Sequence, residues 1–395
     1  SAVVIGAGLI GMECAEAFAN WGLDVTIIEM QSSIFPQVLD PEMGAVFQNY
    51  LEGEDLNFML DTKVEKILVN EEGKVSGVQT NKGDVDAQLV LVAVGVRPCV
   101  KLAVDAGLEV EKAIIINDHC QTSDPDIYAA GDCVMTTNLI SGQRVYAPMG
   151  STANRQGRVI GNNVTGGDDT HKGVLNTAVC KMFDWSLGAT GLSERVAKQL
   201  GYDTVTCIVP GPDITHFMPG KKLIMTRLLA DRKTRKILGV QIVGPGKVDK
   251  RIDTMVAALT FGATVDDLAN MAPPLSSAME NLTNAANVMK NTIDGKAHDM
   301  RYEEFKSKLD SDDVVFVDLR TAHERSQKPI PAKNQLHIPI EELRARANEV
   351  PKDKEVVVFC ILSTRGFEGQ LILNNAGYDN VRFVQGGIQF WPLDK

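Results

Sequence analysis

Gly6, Gly8 and Gly11 follow the apolar run Ala2–Ile5 in a G-x-G-x-x-G spacing, and little other than a strand, a tight turn and a helix accommodates them. The first glycine allows the turn, the second lets backbone approach a pyrophosphate, and the third lets helix and strand pack closely. The helix N-terminus supplies amide donors and a positive dipole end for phosphates. A second apolar run, Val25–Ile28, ends on Glu29, placed to bond both ribose hydroxyls of an adenosine. Met30, Gln31 and Ser32 offer no arginine for a 2′-phosphate, so the front of the chain is expected to take NADH rather than NADPH.

The bulk numbers narrow the remaining classes. A net charge of −11 over 395 residues argues against a broad nucleic-acid footprint, which needs clustered Lys and Arg. The longest clean apolar run, residues 89–96, has the length of a buried strand and is too short for a membrane span. The opening segment is strand-like and has no basic leader, so no signal peptide is expected. Seven scattered cysteines without a CxxC pair suit a reducing, cytoplasmic setting, and no metal site is expected.

Four α/β or α+β units are predicted. Residues 1–95 read as a Rossmann-like βαβ domain, with a helix near 40–51, a hairpin turning at 71–73 and a buried strand at 89–94. Residues 96–168 are looser and carry a helix near 151–164. Residues 169–297 contain a hairpin (223–229 and 237–243) followed by helices interrupted at Pro273 and Pro274. Residues 298–395 form a separate α/β unit after the polar link Asp294, Gly295, Lys296.

The run GAGLIGMECAE (6–16) resembles the nicotinamide-binding fingerprint of the flavin disulfide reductases, and the resemblance puts Glu13 near a nicotinamide–flavin contact. GVRP (95–98), led by Gly95, resembles the turn that leaves the nicotinamide domain. TSDPDIYAAGDC (122–133) resembles the second FAD fingerprint, which makes Asp132 the ribityl-binding aspartate. ANRQG (153–157) resembles the next helix, whose N-terminus at Ala153 faces the flavin. The resemblance therefore implies a partial FAD domain and FAD as cofactor. The family's first FAD fingerprint and the redox cysteine after it have no counterpart in this sequence. That leaves open a piece of a longer protein, a front segment supplied by another chain, or lost flavin chemistry. Cys14 and Cys133 are expected to be core residues.

Within 169–297, TGLSE (190–194), KRID (250–253) and APPLSS (272–277) resemble the dimerisation domain of coenzyme A-disulfide reductases and NADH persulfide reductases, implying a homodimer. HFMPG (216–220) and Met271 depart from tyrosines common in that branch, which puts the thiol substrate in doubt. His216 is expected to be an ordinary histidine.

At the C-terminal end an apolar strand at 356–359 runs into Cys360, a loop, and a helix expected at 367–375. A cysteine between strand end and helix start lies among backbone amides at a positive helix terminus, which lowers thiol pKa and holds an anion. Four residues separate Cys360 from Arg365, a C-x4-R loop shorter than the C-x5-R loop of cysteine phosphatases. With VVFVDLR (314–320), Glu324, LHIP (336–339), Gly386, Gly387 and Trp391, this resembles a rhodanese domain. Ser363 stands where that loop often has glycine; Asp318 and Arg320 are expected to be structural ion partners. The resemblance implies that Cys360 carries sulfane sulfur, that Arg365 assists, and that the substrate is a persulfide, polysulfide or coenzyme A disulfide. The expected activity is an NADH- and FAD-dependent reductase with a tethered sulfur carrier. A sulfurtransferase on a body that no longer holds FAD, a non-catalytic NADH-binding platform, and an oxidase or peroxidase remain alternatives.

Overall fold

The computed structural model describes residues 1–215, 217–272 and 280–391. His216 and the proline pair at 273 and 274, with the serines at 276 and 277, lie outside the described residues.

The front unit opens with β1 (Ala2–Ile5), α1 (Leu9–Asn20), β2 (Val25–Ile28), α2 (Pro41–Glu52) and β3 (Leu56–Met59). Gly22, at φ +79°, ends α1 in the left-handed conformation that closes many helices. Pro41 begins α2, where its missing N–H is not needed. An antiparallel meander of β4 (Val64–Val69), β5 (Val75–Thr80) and β6 (Gly83–Asp86) precedes β7 (Leu89–Val92). The parallel sheet has the order β3-β2-β1-β7. The predicted buried strand at 89–94 is corrected here. It stops at Val92, and Leu89, Val92, Val94 and Val96 are exposed, because β7 is an edge strand.

Next come α3 (Lys101–Asp105), β8 (Met135–Thr137), β9 (Arg144–Tyr146) and α4 (Gly150–Asn163). The third unit holds β10 (Ala178–Met182), β11 (Trp185–Gly191), α5 (Glu194–Gln199), β12 (Thr204–Pro212), β13 (Leu223–Asp231) and β14 (Ile237–Gly244). These strands form one antiparallel sheet, β10-β11-β14-β13-β12. Helices α6 (Val248–Thr260) and α8 (Asn281–Ile293) cover it through Val248, Ile252, Met255, Leu282 and Met289, and α7 (Val265–Ala269) packs on α8. The last unit is β15 (Asp299–Met300), α9 (Tyr302–Lys308), β16 (Val314–Asp318), α10 (Ala322–Gln327), β17 (Gln335–His337), α11 (Ile340–Arg346), β18 (Glu355–Phe359), α12 (Thr364–Asn375) and β19 (Val381–Val384). Its sheet is parallel, β15-β19-β18-β16-β17.

The last unit is packed against the units before it. One apolar core runs without a break through Phe47 of α2, Met182, Ile208 and Met225 of the antiparallel sheet, and Phe305, Phe359 and Trp391. Trp185 stacks on Tyr50 at 4.5 Å and meets the ring of Phe390 at 6.0 Å, so three units share one indole. An ion cluster reinforces the junction. Arg227, 2% exposed, pairs with Asp40, Glu42 and Glu194, and Arg301 of the last unit reaches Glu194 at 2.7 Å. Removing one carboxylate from such a buried cluster would leave an uncompensated charge and strongly destabilise the fold.

Candidate functional site

At the front loop the three glycines are separated by what a side chain would strike. A Cβ on Gly6 (φ +105°) would lie 2.4 Å from the carbonyl oxygen of Ala93, and one on Gly11 would lie 2.1 Å from that of Gly6. A Cβ on Gly8 would meet nothing within 4 Å. Gly6 and Gly11 are thus required by the fold, whereas the fold leaves room for a side chain at Gly8. Gly8 is the N-cap of α1 and offers no side-chain cap. The first amides of α1 therefore remain available to an anion. Glu29, half-buried at the end of β2, accepts the Ala7 N–H through Oε2 and the Gln31 N–H through Oε1, both at 2.8 Å. It is fixed beneath the glycine loop, with lone pairs left over for a diol. Glu13 is exposed on α1 and faces Cys180, whose thiol is pushed up to about 12 by burial and then by Glu13.

The middle segment places Asp132 in a single 3-10 turn, Gly131–Cys133. Asp132 is exposed, as is Gly95 (φ +94°). Gly131 (φ +81°) approaches α4 so closely that a Cβ would lie 3.3 Å from that of Ala153. Gln156, buried on α4, accepts the Gly131 N–H at 2.8 Å. Its Nε2 and the hydroxyl of Tyr146 are buried without a partner among the described residues. Burial, and then Asp132, raise the Tyr146 phenol above its ordinary value. An exposed carboxylate beside donors that lack partners fits a polar cofactor chain such as a ribityl group. Cys14 and Cys133 are half-buried rather than core, and Cys99 is exposed.

At the back loop Cys360 is 1% exposed, at the end of β18 and four residues ahead of α12. The helix begins at Thr364, three residues earlier than expected, so Arg365 sits in its first turn. The backbone amides of residues 361–366 donate to no other group among the described residues. Successive amides of this kind form an anion-holding concavity. Arg365 is not a lone cation: its Nη1 and Nη2 donate to both oxygens of Glu324 at 2.8 and 2.7 Å. Glu324 above all, and then Cys360, favour the charged guanidinium against the cost of burial. The same pairing holds the Glu324 carboxyl down at about 2. Glu324 also closes a capping box with Thr321 at the start of α10. Asp318 and Arg320, both fully buried, bond bidentately at 2.8 and 2.7 Å.

Residues 1–157 match the family described as pyridine nucleotide-disulphide oxidoreductase, residues 177–286 its dimerisation domain, and residues 301–393 the rhodanese-like domain. A solved NAD-dependent persulfide reductase from A. fulgidus is 40% identical, with a TM-score of 0.93 over 99% of this chain and 71% of that one. The chain belongs to the pyridine nucleotide-disulphide oxidoreductases.

That family is one of nicotinamide- and flavin-dependent enzymes. Among curated relatives, an NADH oxidase of Methanocaldococcus jannaschii is 39% identical over 72% of this chain and 64% of its own length. An NAD(P)H coenzyme A polysulfide/persulfide reductase of Pyrococcus horikoshii is 36% identical over 73% of this chain and 65% of its own length. The chain thus spans about two thirds of the length of these relatives. No helix among the described residues is long and apolar enough to cross a membrane. Sequence reasoning missed Gln156, which ties the Asp132 turn to α4, and the partnership of Glu324 with Arg365. A glutamate 41 residues from its arginine gives no local signal.

Proposed function

We propose that this protein is an NADH- and FAD-dependent reductase of disulfides, persulfides or polysulfides whose rhodanese domain carries sulfur on Cys360. The observation that carries this reading is the back loop: a cysteine followed by six amides without a partner among the described residues, with a paired arginine in range, on a domain packed into a reductase body. In the sulfurtransfer half-reaction the Cys360 thiolate attacks the outer sulfur of a donor such as thiosulfate. The donor S–S bond breaks, sulfite leaves, and Cys360 holds a persulfide. A thiophile such as cyanide then takes that sulfur as thiocyanate and returns the thiolate. The loop amides and Arg365 stabilise negative charge on sulfur throughout.

The reductive half, with persulfide and NADH plus a proton giving thiol, hydrogen sulfide and NAD⁺, is assigned to the body. Gly6, Gly8, Gly11, Glu29 and Glu13 would hold the dinucleotide. Gly95, Asp132 and Ala153 would hold part of FAD, which when bound passes an electron pair from nicotinamide to a sulfur–sulfur bond. A homodimer through residues 177–286 belongs to the same reading, as does a reducing cytoplasm, supported by seven unpaired thiols. The test is purified protein incubated with thiosulfate and cyanide, and separately with polysulfide and NADH. Thiocyanate formation that needs Cys360, together with sulfide release that needs NADH, supports the reading. Thiocyanate without NADH-dependent sulfide reduces the chain to a sulfurtransferase.

A further inference from the structure

The peptide planes of the Cys360 loop are held from behind, and the hold ends on a lysine. Ile388 N–H donates to the carbonyls of Cys360 at 3.1 Å and Ile361 at 3.0 Å, and Gln389 N–H donates to that of Ile361 at 3.1 Å. A trans peptide points its N–H opposite to its C=O, and the chain has no cis bond. With the carbonyls of residues 360 and 361 turned toward the 388–389 segment, the N–H groups of Ile361 and Leu362 face the other way, away from that segment. Gly387 (φ +65°) makes this seating possible, since a Cβ there would lie 2.3 Å from the Ile361 carbonyl oxygen.

The seating segment is itself fixed by Lys328. Its ammonium donates to the carbonyls of Ile388 at 2.8 Å, Gln389 at 3.1 Å and Trp391 at 2.9 Å. The backbone of Lys328 is anchored in turn, because its carbonyl accepts from Arg320 Nη1 at 2.7 Å and Arg320 is locked to buried Asp318. A continuous chain therefore runs from the Lys328 ammonium to the Ile388 carbonyl, through that peptide to the Gln389 N–H, on to the Ile361 carbonyl, and ends at the Leu362 N–H. Aligned hydrogen bonds polarise one another, so a cation at one end strengthens the donor at the other.

We propose that Lys328 is a positioning residue of the sulfur-carrying loop, which sets the direction and donor strength of the Ile361 and Leu362 amides through the 388–391 segment. The inference rests on the reading that Cys360 carries sulfur, and Cys360→Ser separates the two. If that variant keeps its thiosulfate:cyanide activity, the reading itself falls. If it is inactive while Lys328 variants behave as wild type, only this inference falls.

The test uses the whole protein with Lys328→Met, Lys328→Gln and Lys328→Arg. The readouts are thiosulfate:cyanide kinetics and the pH dependence of Cys360 alkylation by iodoacetamide. Lys328→Met is expected to lower kcat/KM about tenfold, the scale of one lost charge-assisted hydrogen bond. It should also move the alkylation midpoint to higher pH, and Lys328→Arg should restore both. Lys328→Gln keeps amide donors without the charge and decides the matter if Lys328→Met does not fold; a midpoint moved to higher pH is again expected. An unchanged alkylation midpoint in the folded neutral variants, or a Lys328→Arg protein as impaired as Lys328→Met, overturns the proposal.

Discussion

Two loops in this chain join a parallel strand to the N-terminus of a twelve-residue helix, one ahead of α1 and one ahead of α12. Both helices start without a side-chain cap, and both leave amides available to an anion. They differ in what surrounds those amides. The front loop is shaped by glycine and underlain by an acid, Glu29, that grips backbone. The back loop carries a nucleophile, a cation paired to Glu324, and a serine at φ +74° where a glycine would sit without strain. The shared backbone supplies generic affinity for negative charge, and on the proposed reading side chains decide whether the cargo is a dinucleotide held reversibly or a sulfur atom held covalently. The first loop works by leaving room, the second by adding chemistry.

The sharpest test of that division is Cys360→Ser. Thiocyanate formation should fall to background, while NADH binding, measured by fluorescence titration, stays at the wild-type level. Loss of both would mean that the two loops are not separate sites. At the front loop the contrast lies between two glycines. Gly8→Ala enters open space, so it should leave thermal stability unchanged and weaken NADH binding roughly 10- to 100-fold by crowding the ligand. Gly11→Ala strikes the Gly6 carbonyl and should cost about 3 kcal/mol of folding stability as well. Equal melting temperatures for the two variants would refute the assignment of Gly8 to ligand approach. At the back loop Arg365→Lys keeps the charge and loses the two-pronged grip on Glu324, with thiosulfate:cyanide turnover expected to drop about tenfold.

Much of this was legible in the sequence because it is local. Strand, glycine turn, helix and terminal acid follow one another within residues 2–29, and Arg365 follows Cys360 after a short loop. What stayed hidden depends on contacts across the chain. Burial of residues 89–96 was misjudged because apolarity gives no information on whether a strand is central or at a sheet edge. The docking of the last unit rests on Arg227, Arg301, Tyr50, Trp185 and Phe390, drawn from three units with no pattern in their spacing. The start of α12 at Thr364 was missed because Ser363 and Thr364 read as loop residues, whereas the left-handed Ser363 turns the chain straight into the helix.

The Glu324–Arg365 pair also makes the back loop acid-sensitive. Glu324 is held at about 2 against an ordinary 4.5, chiefly by the Arg365 hydrogen bonds. A depressed carboxylate stabilises the folded state in full above its unfolded value, and that contribution is lost as pH falls through the folded one. The rhodanese domain should therefore lose this increment between about pH 4.5 and 2, and Glu324→Gln should lack it. Urea midpoints at pH 5 and pH 3 for both proteins check this, and parallel slopes would show that the pair contributes nothing.

The smallest expected effect bears on why the two loops differ in glycine content. Ser363 adopts φ +74° and ψ −27°, a conformation that costs an L-residue roughly 1–2 kcal/mol and glycine almost nothing. Against this, glycine loses more chain entropy on folding, by roughly 0.5–1 kcal/mol. Ser363→Gly should thus stabilise the protein by no more than about 1.5 kcal/mol. If the serine serves only the fold, sulfurtransfer in the variant will match wild type. If the strain holds the amides of residues 361–366 in register around the thiol, the variant will be more stable and slower, with the loss in kcat rather than in KM for thiosulfate. A stabilised variant with unchanged kcat would place the back loop beside the front one, as a cradle whose shape comes from the strand and helix alone.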